Sequence, residues 1–346
     1  MGLSGISIEK DEIERIFAGL ATQAEKEIPS TLEQNKKRVI ILAGPTATGK
    51  SALGMELAEQ MNGEIITADS MQVYKGMDIG TAKATLEERQ SIPHHLLDIR
   101  NVDEIFNVVD FYYEARQSCM HVLSNGKVPI VVGGSGFYLR SLIYGPPSGP
   151  PSVPELRKEI EEEFDRMGPE FMYQKLEQLD LEYAHTITKN DRQKIVRALE
   201  IIQLTGKKVS RHSWKERRKP QNYDFRCWFL HRPKDILYRR IEKRCDDMIE
   251  LGLIDEVRDL KEKGLLKNSS ASQAIGYKQT LDYLDSDQSK EAFETFVREF
   301  KKASRHYAKR QLTWFRKESM FRWLDLDLHD PEVVMDIIQQ DYEMGL

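Results

Sequence analysis

Apolar residues along the chain form short continuous runs that alternate with stretches of helical spacing. The short runs are rich in β-branched residues, and in the stretches between them apolar residues recur every three or four positions. Buried strands that alternate with helices are typical of a parallel sheet with helices on both faces. The pattern therefore predicts an α/β fold with a mostly parallel, doubly wound sheet. The predicted strands cover residues 39–43, 65–68, 128–132, 227–230 and 321–326.

The pattern changes between residues 145 and 220. A run of glycine and proline at 145–151 leads into charged helical patterns without a strand, which predicts a helical insertion domain over 150–219. The α/β core would then comprise 38–149 and 220–330. Residues 1–37 are expected to form an N-terminal helical extension, because Ile13, Ile16, Phe17 and Leu20 fall at helical spacing. Residues 331–346 are expected to form a C-terminal helical tail.

Composition places the chain among ordinary water-soluble proteins. Of its 346 residues 40% are hydrophobic and 31% charged, and no run approaches the ~18 apolar residues that a membrane helix needs. Cys119, Cys227 and Cys245 stand too far apart in sequence to suggest a zinc site or a disulfide framework. The glutamate-rich start does not resemble a signal peptide. We therefore expect a cytoplasmic protein that does not enter membranes and acts as a monomer.

A phosphate-binding loop follows the first predicted strand. Its sequence satisfies G-x-x-x-x-G-K-[ST], and it lies between a strand and a helix, as this motif requires. Backbone N–H groups of such a loop surround phosphate oxygens, the lysine adds a positive charge, and the hydroxyl that follows can bind Mg²⁺. The segment therefore predicts a di- or triphosphate ligand, with ATP among the candidates, and Ser51 as the metal ligand. The predicted diphosphate-binding residues are Gly44, Pro45, Thr46, Ala47, Thr48, Gly49, Lys50 and Ser51.

Asp69 follows the second predicted strand and should reach the same edge of the sheet as this loop. It could hold Mg²⁺ through water, act as a general base, or cap the next turn. The strand at 128–132, by contrast, runs into Gly133, Gly134, Ser135 and Gly136 without a carboxylate. Hydrolytic P-loop enzymes usually have an acidic Mg²⁺ ligand after such a strand. ATP hydrolysis is therefore disfavoured.

Basic residues form a stripe on a predicted helix near the C-terminus. Helical spacing places Phe296, Phe300, Ala303, Tyr307 and Trp314 on one face, which we interpret as core. The opposite face has few acidic neighbours besides Glu299, so it is either a solvated surface or a contact for a phosphate backbone. Arg310 projects near the aromatic face and is expected to need a partner, either a carboxylate or a bound polyanion. The basic face comprises Arg298, Lys302, Arg305, Lys309 and Arg316. A second basic group comprises Lys207, Lys208, Arg211, Lys215, Arg217, Arg218 and Lys219.

Taken together, these segments resemble the tRNA dimethylallyltransferase (isopentenyltransferase) family. The phosphate loop has the Pro-Thr pair of that family, and residues 68–74 read A-D-S-M-Q-V-Y, similar to its A-D-S-x-Q-x-Y signature. The loop alone is common to many enzymes, whereas the ordered set over residues 38 to 325 is specific. The matching segments are 44–51, 68–74, 76–83, 93–98, 131–138, 190–193, 197–200, 276–279 and 307–316.

The resemblance implies a reaction and roles for individual residues. The donor would be dimethylallyl diphosphate with Mg²⁺, and the acceptor N6 of the adenosine 3′-adjacent to the anticodon in tRNAs reading codons that begin with U. Asp69 would be the general base, and Lys50 and Arg244 would stabilise the diphosphate. The tRNA anticodon stem-loop would present a base turned out of the loop. The implied tRNA contacts are Asp69, Ser70, Met71, Gln72, Ser135, Arg157, Gln193, Lys194, Ile195, Val196, Arg197, Ala274, Ile275, Gly276, Tyr277, Lys278, Lys309, Arg310, Gln311, Leu312, Thr313, Trp314, Phe315 and Arg316.

The sequence departs from the family pattern in three places. Ser135 stands where many relatives have Thr, and the hydroxyl is kept. The N-terminal extension matches no segment of the family pattern. The zinc-finger module of some eukaryotic relatives is missing at the C-terminus, which indicates a bacterial-type enzyme.

Three other functions share part of these features. A small-molecule or nucleoside kinase would explain the phosphate loop and Asp69, but not residues 276–279 or the basic helix. A relative that prenylates free adenine nucleotides would need no helical insertion. A non-enzymatic RNA-binding switch would bind RNA in a nucleotide-dependent way, and it would not need Asp69.

Overall fold

A six-stranded parallel sheet organises the protein, as seen in a computed structural model that describes residues 37–147, 149–211 and 223–344. The strands are β1 (Lys37–Ala43), β2 (Gly63–Thr67), β3 (His94–His95), β4 (Val128–Gly133), β5 (Tyr223–His231) and β6 (Arg322–Asp325). Their order is β3-β2-β4-β1-β5-β6, and every neighbouring pair is parallel. The predicted α/β fold is confirmed. The sequence pattern missed β3, because this strand has only two residues, both half-buried.

Helices connect the strands and cover both faces of the sheet. The helices are α1 (Lys50–Gln60), α2 (Leu86–Ser91), α3 (Val108–Ser124), α4 (Gly136–Tyr144), α5 (Pro154–Leu179), α6 (Leu181–Ala184), α7 (Arg192–Thr205), α8 (Lys234–Glu250), α9 (Leu253–Glu262), α10 (Tyr277–Leu284), α11 (Lys290–Phe315) and α12 (Pro331–Met344). Short 3-10 turns lie at Val209–Arg211 and Leu265–Lys267. Within the described ranges, no helix is long and apolar enough to cross a membrane.

The central strand β1 is buried on both faces. Val39 and Ile41 join a large apolar core that also contains residues of α3, α4, α8 and α11. Ile40 and Leu42 point to the other face, where they join a smaller core with α1 and α12. Alternate side chains of a strand point to opposite faces, so a continuous apolar run is required for such a strand. Helix α12, in the predicted tail, contributes the buried residues Val334, Met335 and Ile338 to the smaller core.

The described residues fall into two compact units. One contains residues 147 and 149–211, and the other contains 37–146 and 223–344. The first unit is helical, with a core between α5 and α7 that includes Phe164, Leu176 and Leu199. Gly168, with φ of +82°, interrupts α5 just before Pro169.

The proposed boundaries at 149/150 and 219/220 stay predictions. The N-terminal extension, and Lys215, Arg217, Arg218 and Lys219 of the second basic group, lie outside the described residues.

The glycine-rich turn after β4 allows an unusually close approach between backbone segments. A Cβ atom on Gly133 would lie 2.1 Å from the carbonyl oxygen of Ala68, which follows β2. A Cβ on Gly134 would lie 2.2 Å from Nε2 of Gln311, and one on Gly136 would lie 2.3 Å from the Trp314 ring. The turn therefore lets the residue after β2 and the helix α11 each approach its backbone closely at the carboxyl edge of the sheet. Only glycine fits at these positions without displacement of the neighbouring atoms.

We expect Gly133→Ala to lower the free energy of unfolding by ~2 kcal/mol or more, because the added methyl group overlaps a backbone oxygen that is held by the sheet. Urea unfolding followed by circular dichroism measures this change. Gly126→Ala is the matched control, since its Cβ would meet no atom within 4 Å. The control is expected to lose only ~1 kcal/mol, because Gly126 has a positive φ. Equal losses in the two variants would contradict the steric explanation.

Candidate active site

A cavity of about 300 Å³ opens at the carboxyl edge of the sheet. It brings together the phosphate loop, the turn after β2, the loop after residue 79, helix α8, the segment before α10, and helix α11. Thr46, Asp69 and Arg244 all line it, although they lie up to 198 residues apart by their numbers. Ligands of open parallel sheets bind at this edge. The cavity is therefore the candidate active site, and the sequence correctly predicted that the phosphate loop and Asp69 would share an edge.

The phosphate loop has the backbone shape of an anion site. Gly49 has φ of +107° and Ala47 has φ of +62°, and α1 begins at Lys50. The Thr48 hydroxyl is buried and donates to the carbonyl oxygen of Pro45. Such a loop turns its carbonyl groups outward and its N–H groups toward the ligand, at the positive end of the helix dipole. All eight predicted diphosphate residues thus form one continuous loop and helix start.

Positive charges crowd the inner side of this loop. Burial and the nearby Arg244 guanidinium lower the pKa of Lys50 to about 8, and the Asp69 carboxylate partly opposes that shift. Burial likewise lowers the pKa of Arg244, again opposed by Asp69. An anion with two or more negative charges would relieve the repulsion between Lys50 and Arg244. The arrangement of Lys50 and Arg244 is therefore suited to a multiply charged ligand such as a diphosphate.

The Asp69 carboxylate faces the cavity with spare acceptor capacity. Its Oδ1 accepts from the backbone N–H of Met71 at 2.9 Å, which is the capping role that the sequence left open. A carboxylate has about four acceptor sites, so this bond leaves room for a proton from a substrate. Capping and general-base roles are compatible in this geometry, because the first orients the group that would perform the second.

Two arginines that the sequence analysis missed hold the outer side of the phosphate loop. Nε of Arg240 donates to the Ala47 carbonyl oxygen at 2.8 Å, and Nε of Arg232 donates to the Thr48 carbonyl oxygen at 2.8 Å. Arg232 also pairs with Asp327 at 2.5 Å. A signal for both was present: Arg240 lies one helical turn before Arg244, and Arg232 follows directly after β5, as Asp69 follows β2. The same reasoning applied to every strand end would have found Arg232.

Apolar and aromatic side chains form the rest of the cavity wall. Ile241 and Met248 project from the face of α8 that also presents Arg244, and Phe300 and Tyr307 project from α11. Burial raises the pKa of the Tyr307 hydroxyl, and a hydrogen bond with Ser135 partly offsets that effect. One end of the cavity is thus charged, while the adjoining walls suit a hydrocarbon group. None of these four wall residues was among the predicted site residues.

The side chain of Gln311 joins α11 to the phosphate loop. Its Oε1 accepts from the Thr46 N–H at 3.0 Å, and its Nε2 donates to the Gly134 carbonyl oxygen at 2.9 Å. The side chain is buried. A buried amide with both ends satisfied fixes the relative positions of the groups it joins. Gln311, predicted as a tRNA contact, therefore has a structural partner on each side.

The face of α11 that is buried differs from the predicted one. The buried residues are Phe296, Phe300, Ser304, Ala308, Gln311 and Phe315. Trp314, which we placed on the core face, is half-buried and packs against the large core. Ala303 and Tyr307 are only half-buried and do not belong to that core, so the prediction was wrong at these two positions. Ser304 and Gln311 are buried instead, and a pattern of apolar residues does not reveal such polar side chains.

The basic stripe on α11 is also less uniform than predicted. Lys302 pairs with Glu299 at 3.0 Å, and Arg305 pairs with Glu242 of α8 at 2.6 Å. Glu299 was the one acidic neighbour expected, so the pairing of Lys302 agrees with the prediction. Glu242 was not expected, and the prediction of poor pairing was therefore wrong for Arg305. Lys309 and Arg316 are exposed and have no ion pair among the described residues. Arg310 is exposed, lies over the Tyr307 ring at 5.6 Å and lines the cavity. No carboxylate pairs with it among the described residues, so the expected carboxylate or polyanion partner stays a prediction.

The remaining predicted contacts in this unit divide into cavity-lining and supporting residues. Ser70, Met71, Ala274, Ile275 and Tyr277 line the cavity together with Asp69 and Arg310. Gln72 donates to the carbonyl oxygen of Thr81 at 3.0 Å. Lys278 and Thr313 are exposed, Ser135, Leu312 and Trp314 are half-buried, and Gly276 and Phe315 are buried. Their predicted role toward tRNA stays a prediction.

In the helical unit, two predicted contacts share one buried carboxylate. Arg197 pairs with Glu200 at 2.7 Å, and Arg157 approaches the same carboxylate at 3.8 Å. Glu200 also accepts from the Val153 N–H at 2.8 Å at the start of α5. The predicted contacts Gln193 and Lys194 are exposed, whereas Ile195 and Val196 belong to the core of this unit. Ile195 and Val196 therefore anchor α7 in the core of this unit.

Known proteins resemble the chain over most of its length. The protein family model described as IPP transferase matches residues 72–318. A tRNA dimethylallyltransferase of Protochlamydia amoebophila is 65% identical over 342 residues, 99% of each chain. The N-terminal extension, which we expected to match nothing in the family, is thus almost entirely covered by this relative.

Two solved structures share the fold. The tRNA isopentenylpyrophosphate transferase of Bacillus halodurans has a TM-score of 0.64 and 38% identity, over 90% of this chain and 98% of that one. A eukaryotic dimethylallyltransferase acting on tRNA has a TM-score of 0.67 and 31% identity, over 88% of this chain and 75% of that one. With the family model and this degree of identity, the chain belongs to the IPP transferase family and is a prenyltransferase.

Proposed function

We propose that the protein transfers the dimethylallyl group from dimethylallyl diphosphate to N6 of the adenosine 3′-adjacent to the anticodon, in tRNAs reading codons that begin with U. The products are N6-isopentenyladenosine and diphosphate. The relatives' names support a tRNA acceptor. The observation that supports the chemistry is the cavity, in which the phosphate loop, Asp69 and Arg244 surround one space with apolar walls.

The cavity residues suit both ends of a prenyl diphosphate. Loop amides, Lys50 and Arg244 bind the diphosphate end, while Ile241, Met248 and Phe300 pack against the five-carbon group. During transfer the bond between the allylic carbon and the diphosphate oxygen breaks, and negative charge grows on the leaving oxygen. Cations and N–H groups that are already in place stabilise that charge without reorganisation. Arg232 and Arg240 contribute by fixing the loop from outside.

Asp69 is placed to accept the proton that the acceptor loses. Adenine N6 is a weak nucleophile, because its lone pair is delocalised into the ring. As the new N6–carbon bond forms, the nitrogen becomes acidic, and a carboxylate within reach removes one of its protons. The Met71 N–H holds one Asp69 oxygen and leaves the other available. The same carboxylate moderates the positive charge of Lys50 and Arg244 before the donor binds.

We also propose Mg²⁺ as the cofactor, bound by Ser51 and the donor's diphosphate. Among the described residues no group of three or more His, Cys, Asp or Glu could hold a metal ion. Mg²⁺ usually keeps several waters and binds through one or two protein oxygens plus substrate phosphates, so a single hydroxyl beside the phosphate loop fits this role. When bound, the ion neutralises part of the diphosphate charge.

The acceptor would approach along the C-terminal half of α11. Lys309, Arg310 and Arg316 combine exposure with the absence of ion pairs in the described part of the chain, and Arg310 reaches the cavity. Cations of this kind bind phosphate groups of RNA, and the exposed residues of the helical unit add further candidates. We propose that the enzyme acts as a monomer in the cytoplasm.

Incubation of the purified protein with unmodified tRNA, Mg²⁺ and radiolabelled dimethylallyl diphosphate tests the function. Label should appear in tRNA, at the adenosine beside the anticodon after nuclease digestion. A parallel reaction with free adenosine monophosphate distinguishes tRNA from a mononucleotide acceptor. Label in the mononucleotide alone, or in another tRNA position, would overturn the proposed acceptor.

Asp69→Asn should reduce turnover by at least ~100-fold, since the amide cannot accept the N6 proton. The amide oxygen can still accept from the Met71 N–H, so the fold and the affinity for inorganic diphosphate should change little. Single-turnover kinetics with bound tRNA measures the chemical step. A variant that binds normally and turns over at the wild-type rate would disprove the general-base role.

Affinity for inorganic diphosphate should fall with rising pH, because Lys50 binds it only in the charged form. With a pKa of about 8, Lys50 is protonated at pH 7 and mostly neutral at pH 9, which predicts a ~10-fold loss between these values. Isothermal titration calorimetry at fixed Mg²⁺ measures it. Lys50→Arg stays charged and corrects for titration of the ligand itself. Parallel pH profiles for both proteins would contradict the prediction.

Lys309→Glu should weaken tRNA binding and reduce the slope of log Kd against log salt by ~1, as expected when one phosphate contact is lost. Filter binding at several salt concentrations measures both quantities. Lys290→Glu is the control: it makes the same charge change on an exposed residue of the same helix, 19 positions earlier, or about 28 Å along its axis. Equal effects of the two substitutions would remove this end of α11 from the interface.

A further inference from the structure

One wall of the cavity is an irregular loop that carries its own buried charge. Gly80 and Thr81 line the cavity, and the loop around them is not part of a helix or a strand. Lys83, almost completely buried, donates to the Tyr74 carbonyl oxygen at 2.7 Å and pairs with Asp78 and Asp98 at 2.6 and 2.7 Å. Loops of this kind are usually mobile unless their polar groups are satisfied. In this loop a second charged side chain, Glu256, binds further backbone N–H groups.

Glu256 of α9 binds the backbone of this loop with both carboxylate oxygens. Oε2 accepts from the N–H groups of Asp78 and Ile79 at 3.0 and 2.6 Å, and Oε1 accepts from the N–H of Gly80 at 3.1 Å. Successive N–H groups that converge on one point form an anion-binding nest. In this protein the nest is occupied by an internal anion from the chain itself. The loop is thereby fixed by a group 176 residues away in sequence.

The same carboxylate also holds the aromatic ring that packs on the loop. The Tyr277 hydroxyl donates to Oε1 of Glu256 at 2.6 Å. The ring lies so close to Gly80 that a Cβ there would be 2.5 Å from it. Because its hydroxyl is held by Glu256, Tyr277 presents its ring to the cavity. Glu256 thus determines the position of two adjacent parts of the wall, Gly80 and Tyr277.

The loop in turn contacts the groups that would bind the donor. The Thr81 carbonyl oxygen accepts from Nη2 of Arg244 at 3.5 Å and from Nε2 of Gln72 at 3.0 Å. Arg244 is half-buried and close enough to Lys50 to lower its pKa, so its direction depends on the few acceptors around it. A shift of the Thr81 carbonyl group would redirect the guanidinium within the cavity.

We propose that Glu256 is a positioning residue for the donor site: by filling the nest at Asp78–Gly80 and holding Tyr277, it sets the wall that orients Arg244 toward the diphosphate. This proposal rests on the proposed prenyl transfer. Glu256 does not itself line the cavity, so its effect passes through the loop. A carboxylate is required because each oxygen accepts from N–H or O–H donors, and an amide would present a donor to one of those positions.

The test compares Glu256→Gln, Glu256→Asp and Tyr277→Phe in the full chain. Expected results are a ~10-fold increase in the Kd for inorganic diphosphate with Mg²⁺ in Glu256→Gln, a smaller increase in Glu256→Asp, and less than a 3-fold increase in Tyr277→Phe, which keeps the occupied nest. The KM for the donor should rise in parallel, whereas the Kd for tRNA should stay within 2-fold. Glu262→Gln, an exposed residue at the end of the same helix, is the control.

Thermal unfolding separates positioning from loss of fold, and all affinities are measured below the lowest melting temperature. If Glu256→Gln does not fold, the Asp variant decides, since it keeps the charge and only withdraws the oxygens. A folded variant with wild-type affinity for diphosphate and a wild-type donor KM would overturn the proposal. Diphosphate binding is measured without tRNA, so absence of prenyl transfer by the wild-type protein would reject the proposed function without deciding this result.

Discussion

The two hydrogen bonds of the Gln311 side chain are the interaction on which the site depends. They join the phosphate loop through Thr46 and the glycine turn through Gly134 to the long helix α11. Because α11 also supplies Phe300, Tyr307 and Arg310 to the cavity, one buried amide places the aromatic wall relative to the anion site. The glycines of the turn are what allow this approach, since a side chain at Gly134 would occupy the position of the amide.

A second constraint is the excess of positive charge around the cavity. Burial and the nearby Arg244 lower the pKa of Lys50, and burial lowers the pKa of Arg244, while Arg232 and Arg240 bind the loop carbonyls from the other side. Concentrated like charge costs stability in the absence of a ligand, and Asp69 offsets only part of it. If a diphosphate binds as proposed, the energy recovered from this repulsion would be available to order the site. Glu256 acts differently, because its charge is satisfied inside the protein by the amides of residues 78–80.

Much of this arrangement was predictable from the sequence, and the exceptions have a common cause. All strands of the described sheet except β3, the phosphate loop and the placement of Asp69 follow from local pattern, because hydrophobic runs and strand ends are adjacent in sequence. Glu256 was missed because its partner is distant: it meets Gly80 across 176 residues. Arg232 meets Thr48 across 184 residues, although its position directly after β5 was a signal in the sequence. Ser304 and Ala308 hid the buried face of α11, since small side chains pack closely without an apolar signal.

Basic residues along α11 differ in whether they have acidic partners. Lys302 pairs with Glu299 and Arg305 pairs with Glu242. Lys309, and Arg316 directly after the helix, have no ion pair among the described residues, and Gln311, which reaches the phosphate loop, lies between them. A polyanion that bound there would therefore contact the helix beside the residue that holds Thr46. The same segment of helix would then position both substrates, with exposed cations on one face and a buried amide on the other.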